Sequence, residues 1–312
     1  MKREGAAIEV RQLSKRFGEK KVLGPLDLVV PEGSIFALVG HNGAGKTTLI
    51  KTLLNMLSPS GGGATVLGRP STTLMGEAFA QIGYVSETQE LPEWMTVQGM
   101  LNYLRPFYPT WNESGLLEDL ELPPEEKIGN LSRGMRMKAM LASVLAFRPR
   151  LILMDEPFSG LDAVTRDELT RTLMGRLSDD EGAGAGTTIV ISSHDLQEIE
   201  SFATHIAFLH KGALLFTEEM DTLMMRFREV TVTLAGTERE GAFAELPADW
   251  LSPESSGAVL RFTYTKADRE DPEVEVRRLL PGIRHVESEP MTLKTIFLAV
   301  AKSSRNREWS RL

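Results

Sequence analysis

Gly40-His41-Asn42-Gly43-Ala44-Gly45-Lys46-Thr47-Thr48 lies between an apolar run, Ile35-Phe36-Ala37-Leu38-Val39, and a stretch of helical composition, Leu49 to Leu54. Strand, glycine-rich turn and helix form the context in which G-x-x-x-x-G-K-[ST] cradles phosphate. Gly40, Gly43 and Gly45 let the backbone curl so that successive N–H groups face an anion, with Asn42, Ala44 and Thr48 completing the turn. The following helix adds the positive end of its dipole. Lys46 has the reach for β- and γ-phosphates, and the Thr47 hydroxyl suits Mg²⁺. The stretch therefore predicts a nucleoside triphosphate site in an α/β fold.

The rest of the chain is compatible with that core. At 312 residues it can bury a real core and divide into two domains. Its 35 Lys+Arg against 43 Asp+Glu give a net charge of −8, the wrong sign for a general nucleic-acid binder. With no cysteine it has no disulfide framework or thiolate site, which agrees with a reducing cytosol. The Met1-to-Gly5 start carries no apolar segment of a signal peptide, and no apolar stretch is long enough to span a bilayer. Service to a membrane would go through a partner.

Residues 8 to 30 alternate apolar and polar around turns at Gly18 and Gly24-Pro25, predicting short antiparallel strands. Ser58 to Gly63 and Gly68-Arg69-Pro70 read as turns around a strand at Ala64 to Leu67, and Ile82 to Val85 as another strand. From Pro92 to Asn130 helical spacing takes over, in Met95, Val97, Met100, Leu101, Leu104 and again in Leu116, Leu117, Leu120. Ser132 opens a further helix whose methionines read as core packing. Leu151 to Met154, Thr188 to Ile191 and Ile206 to Leu209 are continuously apolar, as strands buried on both faces of a parallel sheet are. Gly182 to Gly186 reads as a loop. Past Arg228 a small α/β unit restarts, with strands at Val230 to Leu234, Ala258 to Thr265 and Arg284 to Glu289 and helices at Glu273 to Leu280 and Thr292 to Ala301.

A phosphate loop calls for a carboxylate on Mg²⁺ and a group that activates water. Asp155 ends the buried run Leu151 to Met154, and Glu156 follows it, facing another way. Asp155 is thus the expected metal ligand and Glu156 the general base. His194 ends the next buried run and is placed to hydrogen-bond a γ-phosphate. His41 has no assigned role, and His205, His210 and His285 show no metal-ligand spacing. Ser132 can cap its helix and Gly134 permits close backbone approach, which makes a second helix end suited to phosphate.

Taken in order, GHNGAGKTT, LSRGMRMK, LILMDEP, SGLD and ISSH resemble the motif series of ABC-type ATPases over about residues 6 to 220. More closely, the chain is similar to bacterial subunits that serve separate membrane permeases, and its TWNES, SRGM and TLKTIFLAV segments resemble the ABC-2 exporter subgroup. The resemblance implies a P-loop NTPase fold with an antiparallel β subdomain and a helical signature subdomain at about 92–145, within a nucleotide-binding domain at 1–228. Residues 229–312 would form the small C-terminal α/β accessory domain. It implies ATP and Mg²⁺ as ligands, with a second ATPase subunit and a transmembrane permease as partners, and no nucleic acid. The chain would then sit peripherally on the cytoplasmic face of the membrane. In the implied head-to-tail dimer, Ser132 and Gly134 contact a γ-phosphate held by the other subunit's phosphate loop, and Asp162 crosses the interface. Phe17 falls where a ring stacks on adenine. Three positions, in two motifs, depart from the pattern. Glu87 replaces the usual Gln, retaining the capacity to bind Mg²⁺ or its water, and Arg133 and Met135 stand where Gly and Gln are commonest. A non-transport ABC ATPase acting on nucleic acid or the ribosome, and a regulator that holds ATP without hydrolysing it, are the competing readings.

Overall fold

The computed structural model describes residues 5–178, 186–235, 246–247 and 249–304, which fall into two compact units. The first holds the residues up to His194 together with Leu209–Leu214. The second holds Asp195–Phe208 and the residues from Leu215 onward. Met1 to Glu4, and all but the last residue of the Gly182-to-Gly186 loop, lie outside the described residues.

The first unit runs β1 (Ala6–Phe17), β2 (Lys20–Pro31), β3 (Ile35–Val39), α1 (Lys46–Leu53), β4 (Gly61–Val66), β5 (Arg69–Pro70) and β6 (Ile82–Ser86). It continues through α2 (Val97–Leu104), α3 (Leu116–Asp119), α4 (Arg133–Leu145), β7 (Leu151–Asp155), α5 (Ala163–Ser178) and β8 (Thr188–Ser193). One sheet is antiparallel, in the order β2-β1-β4-β5. Its first two strands are 12 residues each, longer than the alternation suggests. Register shifts between Val10 and Lys15 interrupt the period-two pattern and make one strand look like two. Gly62 at +66° fits that irregularity, because a Cβ there would lie 2.0 Å from the Gln12 carbonyl oxygen.

The second sheet supplies the site. Its parallel core runs β3-β8-β7-β6, with Val39 beside Ser193, Asp155 beside Ser192 and Ser86 beside Asp155. Every residue of β7 and β8 is buried, which accounts for their unbroken apolar runs. The carboxyl ends of these strands gather on one sheet edge, where open α/β sheets place ligands.

The stretch from Pro92 to Asn130 is less helical than its leucine spacing predicts. α2 is two turns, and α3 is a single turn that starts at Gly115 in the left-handed region. Pro123 and Pro124 follow closely and stop any extension, so the leucines serve packing of a loop: Leu116, Leu120 and Leu122 are all buried. In α4 the Ser132 hydroxyl accepts from the Met135 N–H at 3.2 Å, as a cap should. Met137 and Met140 are buried, in keeping with the packing reading.

The second unit contains α6 (Gln197–Glu200), parts of β9 (His205–His210) and β10 (Ala213–Glu219), α7 (Met220–Arg226) and β11 (Arg228–Leu234). Then follow β12 (Trp250–Ser256), β13 (Val259–Tyr264), α8 (Pro272–Leu279), β14 (Ile283–Pro290) and α9 (Leu293–Ser304). Its own sheet is antiparallel, ordered β12-β13-β11-β14. Val230, Val232, Phe262 and Val276 fill its core, with Trp250 stacked on Phe262 at 4.0 Å. The Tyr264 hydroxyl donates to the buried Glu275 carboxylate, and burial first, then that bond, raises the phenol's pKa. β12 escapes sequence reading because Ser252-Pro253-Glu254-Ser255-Ser256 has no strand-like composition. It is an edge strand with a register shift, the place where proline is tolerated.

Candidate nucleotide site

The turn from β3 to α1 has the geometry of an anion cradle, and its glycines are there for two reasons. Gly43 (φ 82°) and Gly45 (φ 113°) occupy the left-handed region that other residues avoid. Gly40 does not; instead a Cβ on it would lie 2.2 Å from the Leu209 carbonyl oxygen, so close packing of backbone forbids any side chain. α1 starts directly after Gly45, which gives its first N–H groups no side-chain cap. Asn42 to Thr48 line a cleft of about 450 Å³ together with Glu156, Lys20, Lys21, Val22 and Lys211. The last four were invisible in the sequence. Lys20 and Lys21 look like ordinary exposed charges at a hairpin, and only the fold brings them and Lys211 beside the turn.

Lys46 is buried, and its ammonium donates to the Gly40 carbonyl at 2.5 Å and to the His41 carbonyl at 3.4 Å. It also lies 2.9 Å from Glu156 Oε1. That approach is off-axis for a hydrogen bond, so the contact is an ion pair and Oε1 keeps its hydrogen-bonding capacity. Glu156 Oε2 meets His194 Nδ1 at 2.7 Å. Glu156 is therefore held between a lysine and an imidazole, on a backbone at φ 54°, an uncommon conformation for a non-glycine residue. Its N–H is anchored by the Ser192 carbonyl at 3.2 Å and hydroxyl at 3.0 Å.

Asp155 is buried at the end of β7. Its Oδ1 accepts from the Thr47 hydroxyl at 3.1 Å and from the Ser192 hydroxyl at 2.7 Å. Burial is the main reason the phenol of Tyr84 on β6 titrates high; its Ser86 hydrogen bond opposes this and the Asp155 charge adds to it. Thr47 and Asp155 offer only oxygen donors, the chemistry of a hard dication such as Mg²⁺. Among the described residues no cluster of three or more His, Asp or Glu forms a protein-only metal cage.

Ser192 was missed by sequence reasoning. Its hydroxyl donates to one carboxylate and accepts from the backbone of Glu156, fixing Asp155 and Glu156 at once. Ser192→Ala should lower kcat on the order of tenfold, the usual effect of removing a group that orients functional ligands. Steady-state phosphate release checks this, with the thermal midpoint measured in parallel.

The other expected residues are placed as follows. Glu87 follows β6, its N–H donating to the Asp155 carbonyl at 3.3 Å, while its carboxylate pairs with Arg133. Ser132 and Gly134 open α4, and Gly134 packs on Thr165, whose Cγ2 would be 2.8 Å from an added Cβ. Asp162 caps α5: its carboxylate accepts from the Thr165 N–H at 3.0 Å and hydroxyl at 2.9 Å. Those two bonds, the N–H first, hold its pKa below the usual carboxylate range. Phe17, at the end of β1, is 47% exposed with the Lys15 ammonium 4.8 Å over its ring, and it does not line the cleft.

The chain is similar to known proteins. Residues 23–159 match the family described as ABC transporter. The bacitracin transport ATP-binding protein BcrA of Enterococcus faecalis is 32% identical over 72% of this chain and 73% of its own length. The Nod factor export ATP-binding protein I of Rhizobium sp. (strain N33) is also 32% identical, over 94% of this chain and 96% of its own, so that likeness runs into the second unit. A solved ATP-binding subunit of an ABC transporter is 28% identical, with a TM-score of 0.62 over 70% of this chain and 91% of its own.

Proposed function

The chain belongs to the ATP-binding subunits of ABC transporters, and from that premise we propose that it drives an exporter through nucleotide-dependent pairing with a second such subunit. It is an ATPase, binding ATP and splitting it to ADP and phosphate. The observation that carries the mechanism is Glu156 gripped between Lys46 and His194, beside the Thr47–Asp155 pair.

Binding exchanges partners within this cluster. Lys46 leaves Glu156 Oε1 for the β- and γ-phosphates, with Gly43 to Thr48 supplying backbone N–H groups and the α1 dipole. Lys20, Lys21 and Lys211 add positive field around the cleft. Glu156 Oε1, freed of its cation, accepts a proton from water. The water oxygen attacks the γ-phosphorus and the bond to the β–γ bridging oxygen breaks. His194 is oriented through Nδ1 by Glu156, and its Nε2 meets the γ-phosphate as a donor when that nitrogen carries a proton. Thr47 and Asp155 would hold Mg²⁺, with Glu87 at the adjoining end of β6, and the metal would supply charge neutralisation at the phosphates.

The rest of the site is completed by a second subunit. Ser132, Gly134 and Asp162 lie on elements separate from the cleft lining, as expected of groups that act on the partner's nucleotide. The Ser132 hydroxyl accepts from its own helix and so keeps its proton for a phosphate oxygen. A dipolar helix end supplied in trans does the work of an arginine finger. Phe17 stacks on adenine only when Lys15 yields one face of its ring. We assign 1–228 to this machinery and 229–312 to an accessory domain.

Among the described residues no helix is long and apolar enough to cross a membrane. On this reading, transport runs through a separate integral membrane permease, with the chain held peripherally at the cytoplasmic face. The name of a relative that concerns Nod factor export favours export over import. Solubilised membranes from cells expressing the tagged chain should yield it bound to a protein with several membrane spans, with ATP turnover in the complex. Recovery only as a free protein with salt-sensitive retention on nucleic acid would reverse the reading.

A further inference from the structure

Two of the three positions that depart from the family pattern are partners. Glu87 and Arg133 are 46 residues apart, and the Arg133 guanidinium donates to Glu87 Oε1. Glu87 is tied by its backbone to the Asp155 carbonyl, so its charge belongs to the metal-binding end of β6 and β7. Arg133 is the first residue of α4, next to Ser132. The same guanidinium lies against the turn before α5: a Cβ on Gly160 would meet an Arg133 nitrogen at 2.5 Å and its central carbon at 2.7 Å. Gly160 is in the left-handed region at φ 67°, so the turn leaves room for the guanidinium by having no side chain. One cation thus joins the end of β6, the start of the helix that carries Ser132 and Gly134, and the turn that carries Asp162.

We infer that Arg133 is a positioning residue that neutralises Glu87 and draws its carboxylate aside, so that the chain tolerates an acid where a triphosphate must bind. The inference rests on the nucleotide-site reading above. The physical need is plain. A carboxylate beside a site that receives a polyanion repels it, whereas an amide does not. Removing the arginine restores that repulsion, and removing both charges abolishes it. The pair is half-exposed, with side chains 54% and 35% accessible, so its weight is set by screening and falls with salt.

A double-mutant cycle tests this by binding rather than turnover. ATP affinity is measured in EDTA by equilibrium dialysis for the full chain, Arg133→Ala, Glu87→Gln, and both together. At low ionic strength Arg133→Ala should weaken ATP roughly three- to tenfold, and adding Glu87→Gln should recover affinity to within about twofold of the unsubstituted chain. Arg133→Lys, which keeps the charge, should retain most of the affinity. At about 0.5 M salt the loss in Arg133→Ala should shrink. An equal loss with Glu or Gln at position 87 would overturn the inference, since Arg133 would then act on nucleotide or fold directly; so would no loss at all. Failure of the unsubstituted chain to bind ATP would instead sink the nucleotide-site reading. Thermal midpoints of all variants identify any loss that is merely unfolding.

Discussion

Glu156→Gln should leave ATP binding intact and cut phosphate release at least ~10²-fold. The carboxylate is the group in the Lys46–Glu156–His194 cluster that can take a proton from water while staying anchored. His194 is committed to it through Nδ1, and Lys46 is a cation. Glutamine is isosteric and keeps one oxygen for these neighbours but has no basic lone pair of the needed strength. It also removes the charge that holds Lys46, so the ammonium moves to phosphate without first breaking an ion pair, and affinity should hold or rise. The expected state with ATP is a nucleotide-loaded pair of subunits that closes and does not reopen, since hydrolysis is what ends the cycle. Phosphate release, equilibrium ATP binding and size-exclusion chromatography with ATP report the three consequences. Turnover near that of the unsubstituted protein would remove Glu156 from the role of base and shift attention to His194.

The parts of this site that the sequence made legible are those fixed by short-range chemistry. A strand, a glycine turn and a lysine are contiguous, so Gly40 to Thr48 announces its own geometry. Asp155 and Glu156 were legible because two acids end a buried strand in a chain whose phosphate loop calls for a metal ligand and a base. What was hidden is what only register creates. Ser192 sits in a run that reads as plain strand, yet its pairing beside Asp155 puts its hydroxyl between two functional residues. Lys211 reaches the cleft through a turn far along the chain from Lys46, a proximity with no local signal. The Glu87–Arg133 pair shows the same limit in another form. Each residue looked like an isolated departure from a pattern, and only three-dimensional contact reveals that they offset one another.

The fold was legible to a similar depth. Unbroken apolar runs located the parallel strands, whereas bulges in β1 and the serine-rich β12 disguised antiparallel ones. Helical spacing overstated the region from Pro92 to Asn130, because leucines at three- and four-residue intervals also suit a loop pinned by Pro123 and Pro124. Periodicity measures which side chains are buried, and a loop that packs well imitates a helix.

Lys46→Ala should weaken ATP by about 10²-fold or more, the largest binding effect expected of any single substitution here. Charge-assisted hydrogen bonds contribute roughly 1.5–3 kcal/mol each, and this ammonium is placed to make two to phosphate. The substitution has a second effect. Glu156, only 17% exposed at its side chain, loses the cation 2.9 Å away and keeps only His194. Stability should therefore fall as well, so lost binding must be told apart from lost folding. Lys46→Ala combined with Glu156→Gln separates the two. With the carboxylate gone there is no uncompensated charge, so the thermal midpoint should return toward that of the unsubstituted chain. Affinity should not return, because the phosphate contact needs the ammonium itself. Lys46→Arg sharpens the point: its charge is kept, but a planar fork does not fit where a compact ammonium meets the Gly40 carbonyl at 2.5 Å. Recovery of ATP binding in the double variant would mean that Lys46 serves mainly to hold Glu156, and the phosphate loop would then be gripping its ligand through backbone alone.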